Sequence, residues 1–188
     1  MAVTIVSGLP RSGTSLMMQM LEAGGLPVLT DKIRASDEDN PRGYFEFEPV
    51  KRTRRDPSWV AGAEGKVVKM VYLLLRDLPA GHDYRVIMMR RDLREVIASQ
   101  RAMLRRSGRT GANVTDERMA RIFEEQLQSI GEWLAGQPNF SVLDVDHRRC
   151  LESPSLVALE LNGFLGGDLD ERRMAGVVDG SLYRQRSQ

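Results

Sequence analysis

Eight residues near the start of the chain have the types and spacing needed to hold a phosphate: Gly8-Leu9-Pro10-Arg11-Ser12-Gly13-Thr14-Ser15. Glycines let backbone N–H groups turn inward toward one point, and a helix that begins where such a turn ends adds the positive end of its dipole. Arg11 puts a permanent guanidinium inside the turn, whose planar fork matches phosphate oxygens two at a time. Thr14 and Ser15 offer hydroxyls, and Pro10, Ser12 and Gly13 complete the candidate cradle. A loop for nucleoside triphosphates reads GxxxxGK[ST]; here Thr14 stands where that lysine would be, which turns the reading away from ATP chemistry.

A cradle works only if a strand and a helix hold it. Val3 to Ser7 is a short β-branched run that reads as a buried strand, and Thr14 to Ala23 follows with Leu16, Met17, Met20 and Leu21 at helical spacing before Gly24 and Gly25 end it. Asp31 to Gly43 is polar and reads as a surface loop, with Tyr44 to Arg54 predicted as a helix leading to a turn at Asp56-Pro57. Two buried strands are predicted, one beginning at Lys66 and one from Tyr84 to Met89, both central and parallel. Asp92 opens a helix to about Arg106, Ser107 to Asn113 breaks it, and Thr115 or Asp116 caps a longer one. Phe140 to Val145 reads as a strand, Ser153-Pro154 as a cap with a first-turn proline starting a helix to about Leu165, and Asp168 to Val177 as a last helix before a basic tail. Strands alternating with helices predict an α/β fold, a three-layer α/β/α arrangement around a mostly parallel sheet of four to five strands, in one domain spanning 1–188. Ligands of such sheets sit at the carboxyl ends of the strands, which is where the first turn lies.

Bulk composition narrows the partners. The 27 basic residues nearly cancel the 26 acidic ones, which argues against nucleic acid or a membrane surface as the partner. No apolar run approaches the roughly 18 residues of a membrane span. A lone cysteine, Cys150, offers neither an internal disulfide nor a metal-ligand spacing, and the expectation is a cytoplasmic protein with no metal.

The segment LPRSGTS resembles the 5′-phosphosulfate loop of sulfotransferases that use PAPS (3′-phosphoadenosine 5′-phosphosulfate), which follows the pattern P-[KR]-S-G-T-[ST] after the first strand. A second stretch, Arg91-Asp92-Leu93-Arg94-Glu95-Val96-Ile97-Ala98-Ser99, is similar to the family segment whose Arg and Ser, eight residues apart, bind the 3′-phosphate of that co-substrate. The resemblance implies a P-loop fold, PAPS as co-substrate, contacts from Pro10 to Ser15 and from Arg91 and Ser99, and a small-molecule or carbohydrate acceptor. It implies Arg11 as the group that stabilises the leaving 5′-phosphate. Lys69, closing Val67-Val68-Lys69, resembles the family's catalytic lysine, and Glu46, in Asn40-Pro41-Arg42-Gly43-Tyr44-Phe45-Glu46, resembles a glutamate base of bacterial relatives. Val71 departs from the pattern, because cytosolic members carry a histidine there; His82 and His147 match no base position. Arg184 and Arg186 of the tail are candidates to approach the 3′-phosphate. Two alternatives stay open: a P-loop small-molecule kinase, with a magnesium-holding aspartate from Val142-Leu143-Asp144-Val145-Asp146, and a nucleotide-binding module without turnover.

Overall fold

A computed structural model describes residues 1–31, 43–108 and 114–179. Four strands, β1 (Val3–Gly8), β2 (Val67–Lys69), β3 (Tyr84–Arg90) and β4 (Phe140–Asp146), form one sheet in the order β2-β1-β3-β4. Every pair is parallel, with Val6 opposite Lys69 and Ile87, and Met89 opposite Gly8 and Val145. The strand prediction therefore holds at its lower number.

Alternation along the strands divides the core into two layers, as a sheet buried on both faces requires. Val3, Ile5, Val68, Tyr84, Val86 and Met88 face α2 (Leu93–Arg106) and α3 (Asp116–Ala135), where Val96, Phe123, Ile130 and Leu134 meet them. Val6, Val67, Ile87, Met89 and Val145 face the other way, onto Met17, Met20 and Leu21 of α1 (Thr14–Ala23) and Val157 and Leu161 of α5 (Pro154–Leu165). Met17 is fully buried, and truncating such a side chain to alanine costs about 2–5 kcal/mol. The second layer also takes in α4 (His147–Glu152) and α6 (Glu171–Gly176) through Cys150 and Met174.

Predicted helices largely keep their bounds because their caps are real. Asp92 accepts from the N–H groups of Arg94 and Glu95 at the start of α2, and Thr115 accepts from Arg118 at the start of α3. Ser153 makes no side-chain cap; its carbonyl receives the first-turn N–H groups of Leu156 and Val157 instead. One prediction fails in form: Tyr44 to Arg54 is not a helix but extended chain leading into one 3₁₀ turn, Glu48–Arg52. Phe45 has a left-handed φ of 53°, which no helix accommodates, and Pro49 sets the turn's beginning. The stretch from Lys66 to Leu75 is a strand only at Val67–Lys69; a 3₁₀ turn, Tyr72–Asp77, follows. Most of the 31–43 loop, the 109–113 part of the predicted break, and Arg184 and Arg186 of the tail lie outside the described residues.

Candidate functional site

The loop between β1 and α1 is built so that only certain residues fit. Gly8 has φ of 147°, and a Cβ there would stand 2.6 Å from Ser12 Oγ and 2.8 Å from the Met89 carbonyl, so β1 and β3 close on a bare backbone. Ser12 N–H donates to the Leu9 carbonyl at 3.1 Å, which folds the turn over, and Ser12 itself is 1% exposed. Arg11 follows a left-handed path at φ 72°, an unusual state for a residue with a side chain, and one found disproportionately where a site over-determines the backbone. Gly13, at φ 97°, precedes α1, and no side chain among the described residues caps that helix's first turn. The arrangement leaves α1 with its dipole end at the carboxyl edge of the sheet and no acidic residue in its first turn, which is the chemistry an anion fits.

Arg91 and Ser99 come to this loop rather than lying apart from it. Arg11 Nε donates to Ser99 Oγ at 3.0 Å, and Arg91 Nη1 donates to the Arg11 carbonyl at 3.0 Å. Arg91 Nε also donates to Glu95 Oε2 at 2.9 Å, in an ion pair whose side chains are 10% and 6% exposed. Glu95 and Ser99 lie four residues apart on one face of α2, Arg91 stands two residues before that helix, and Arg91 and Ser99 hold Arg11 at its carbonyl and its guanidinium.

Lys69 reaches the loop from the other flank. At the end of β2 it is opposite Val6 of β1, and its Nζ lies 3.5 Å from Ser15 Oγ while donating to the Tyr44 carbonyl and standing 5.9 Å from the Tyr44 ring. Glu46 is two residues beyond that carbonyl. Its own carbonyl accepts from Thr30 Oγ1 at 2.9 Å, and its carboxylate, 25% exposed, pairs with Lys51 at 3.6 Å. The structure thus brings together Arg11, Ser12, Gly13, Thr14, Ser15, Arg91, Ser99 and Lys69, and gives Glu46 a surface ion pair beside them.

A solved sulfotransferase domain shares this architecture. The sulfotransferase domain from the curacin biosynthetic pathway superposes with a TM-score of 0.55 over 97% of this chain and 89% of that one, at 15% identity. The chain has a sulfotransferase-like fold. No family model matches it, and no curated protein does.

His147, which the sequence reads, like His82, as a surface or structural histidine, takes the structural place: it is 7% exposed at the start of α4, directly after β4, and its ring packs so closely on the loop that a Cβ at Gly13 would overlap it. Burial, and then the nearby Arg91 charge, push its pKa down to about 4, so the ring is neutral at pH 7. His82 conforms to the expectation, pairing with Glu64 at 3.3 Å in the turn before β3. The aspartates offered for a kinase are otherwise engaged: Asp144 pairs with Arg90 at 2.6 Å, and Asp146 accepts from the N–H groups of Arg148 and Arg149 at the start of α4.

Proposed function

We propose that this chain transfers a sulfuryl group from PAPS to a hydroxyl or amine acceptor. The observation that carries the reading is the meeting of the β1–α1 loop with Arg91 and Ser99 through Arg11: two guanidiniums and a hydroxyl come together at the carboxyl end of the sheet, beside the start of α1. In this reading the 5′-phosphate lies in the loop, and the 3′-phosphate lies against Arg91 and the Ser99 hydroxyl. PAPS supplies an activated sulfuryl group on a phosphate leaving group.

The residues then divide the work by strand. Arg11 and the N-terminal end of α1 carry the charge that grows on the leaving phosphate, and Thr14 and Ser15 add hydroxyl donors. Lys69, on the β2 side of the loop and 3.5 Å from Ser15 Oγ, stabilises the bridging oxygen as its bond to sulfur breaks and it leaves with the phosphate. Glu46 receives the acceptor's proton as the new sulfur–oxygen or sulfur–nitrogen bond forms, and its route to the site runs along the Tyr44–Glu46 segment that Lys69 holds. A small molecule or carbohydrate enters on that same β2 flank. The chain works as one domain in the cytoplasm.

Calorimetry decides between the readings. Adenosine 3′,5′-bisphosphate (PAP) is expected to bind at least tenfold more tightly than ATP with magnesium, and the reverse order would favour a kinase. PAPS consumption with a panel of alcohols, phenols, sugars and amines then separates an enzyme from a module that only binds.

A further inference from the structure

Glu95 is an unexpected residue for an anion site. Its side chain is 6% exposed, its carboxylate lies 2.9 Å from Arg91 Nε, and it stands one helical turn before Ser99 on the same row of α2. A buried carboxylate beside the proposed 3′-phosphate position repels the ligand, so anion affinity alone does not account for it. Orientation does. The guanidinium is a rigid fork, and fixing Nε on Glu95 determines where its terminal nitrogens point. One of those nitrogens, Nη1, reaches the carbonyl of Arg11, the left-handed residue of the loop. Arg11 in turn gives its Nε to Ser99, four residues beyond Glu95. The contacts close a ring: Glu95 to Arg91, Arg91 to Arg11, Arg11 to Ser99, and Ser99 back to Glu95 along one helix.

We propose that Glu95 is the positioning residue of this ring, aligning Arg91 so that the site distinguishes nucleotides bearing a 3′-phosphate from those without one. The proposal rests on the nucleotide reading above. Glu95 touches no reacting atom; it acts through Arg91 at the 3′ end and, through the Arg11 carbonyl, on the loop at the 5′ end. Discrimination therefore depends on a geometry, not on the sum of charges, which Glu95 lowers.

The test compares PAP with AMP, which lacks the 3′-phosphate, by calorimetry on the full chain. The wild type is expected to prefer PAP by at least tenfold. Glu95→Asp keeps the charge on a side chain one methylene shorter, and Glu95→Ala removes the carboxylate; both are expected to reduce the PAP-to-AMP affinity ratio by about tenfold, the worth of one charge-assisted hydrogen bond. Glu95→Gln still offers an oxygen to Arg91 Nε and is expected to keep the ratio within about twofold of wild type. If the carboxylate served only to stabilise the fold, replacing it would lower the melting temperature and weaken both ligands together, so an unchanged ratio in Glu95→Asp overturns the proposal. If Glu95→Ala does not fold, Glu95→Asp and Glu95→Gln decide it alone. A wild type with no preference for PAP overturns the nucleotide reading itself, a result distinct from an unchanged ratio in the variants.

Discussion

The two flanks of the β1–α1 loop are held in opposite ways. On the β3 side, Arg91, Glu95 and Ser99 are each no more than a tenth exposed; Arg91 and Ser99 are hydrogen-bonded to Arg11 at 3.0 Å, and Glu95 to Arg91 at 2.9 Å. On the β2 side the charged groups around Lys69 are wetter: Glu46 is 25% exposed, Glu48 43% and Lys51 57%. Burial fixes a charged group only where partners offset its lost hydration, and such groups respond sharply to change; exposed pairs are screened and interchangeable. Under the proposed function, the contrast fits one constant ligand and one variable one, a prebuilt end for the nucleotide and an adaptable end for the acceptor.

Removing the guanidinium of the buried flank strikes the comparison hardest. Arg91→Ala takes from the buried Glu95 carboxylate the guanidinium it pairs with, and the chain is expected to lose about 3–5 kcal/mol of unfolding free energy in a urea titration. A loss under 1 kcal/mol would erase the distinction between the flanks.

Acid should reach the same flank next. His147 has a pKa of about 4 in the folded chain against 6.5 for an ordinary histidine, so the unfolded state binds the extra proton between those values. Stability is therefore complete above pH 6.5 and falls as the pH drops toward 4, by about 3 kcal/mol in all. His147→Phe should flatten that part of the pH–stability curve measured by denaturant melts; a slope identical to wild type would show that the ring is not the group responsible.

The β2 flank should answer in rate before it answers in stability. Lys69→Ala is expected to slow PAPS consumption about 100-fold, the scale of one lost electrostatic donor, while changing PAP affinity less than tenfold. Equal losses in both would assign Lys69 to nucleotide binding. Smallest of all, Lys51→Ala, which removes the exposed partner of Glu46 and Glu48, should shift stability by no more than about 0.5 kcal/mol.

Much of this contrast was legible in residue order. The β-branched run Val3 to Ser7, the glycines that follow and the period of Leu16 to Leu21 fix strand, loop and helix locally, and Asp92 announces α2 by its cap. The approach of Arg91 and Ser99 to the loop followed from two motifs on neighbouring strands. Tertiary contacts at single atoms were not legible: Arg11 meeting Ser99, or Glu95 meeting Arg91, depends on how α2 sits over β1. The 44–54 segment misled because its run of acids and bases suits a helix, whereas one left-handed residue, Phe45, decides otherwise.

The short pairing of Val28 with Val67 has a consequence for how this protein meets others. Leu29 N–H donates to the Val67 carbonyl and Val67 N–H to the Pro27 carbonyl, so the chain leaving α1 doubles back and screens the outer rim of β2. Among the described residues nothing does the same for β4, whose Val142 is 39% exposed beside the paired Asp144 and Arg90. Lateral growth of the sheet, whether in an oligomer, a fusion or an aggregate, is thereby restricted to a single side, and the charges at that margin are what a neighbouring strand would have to bury.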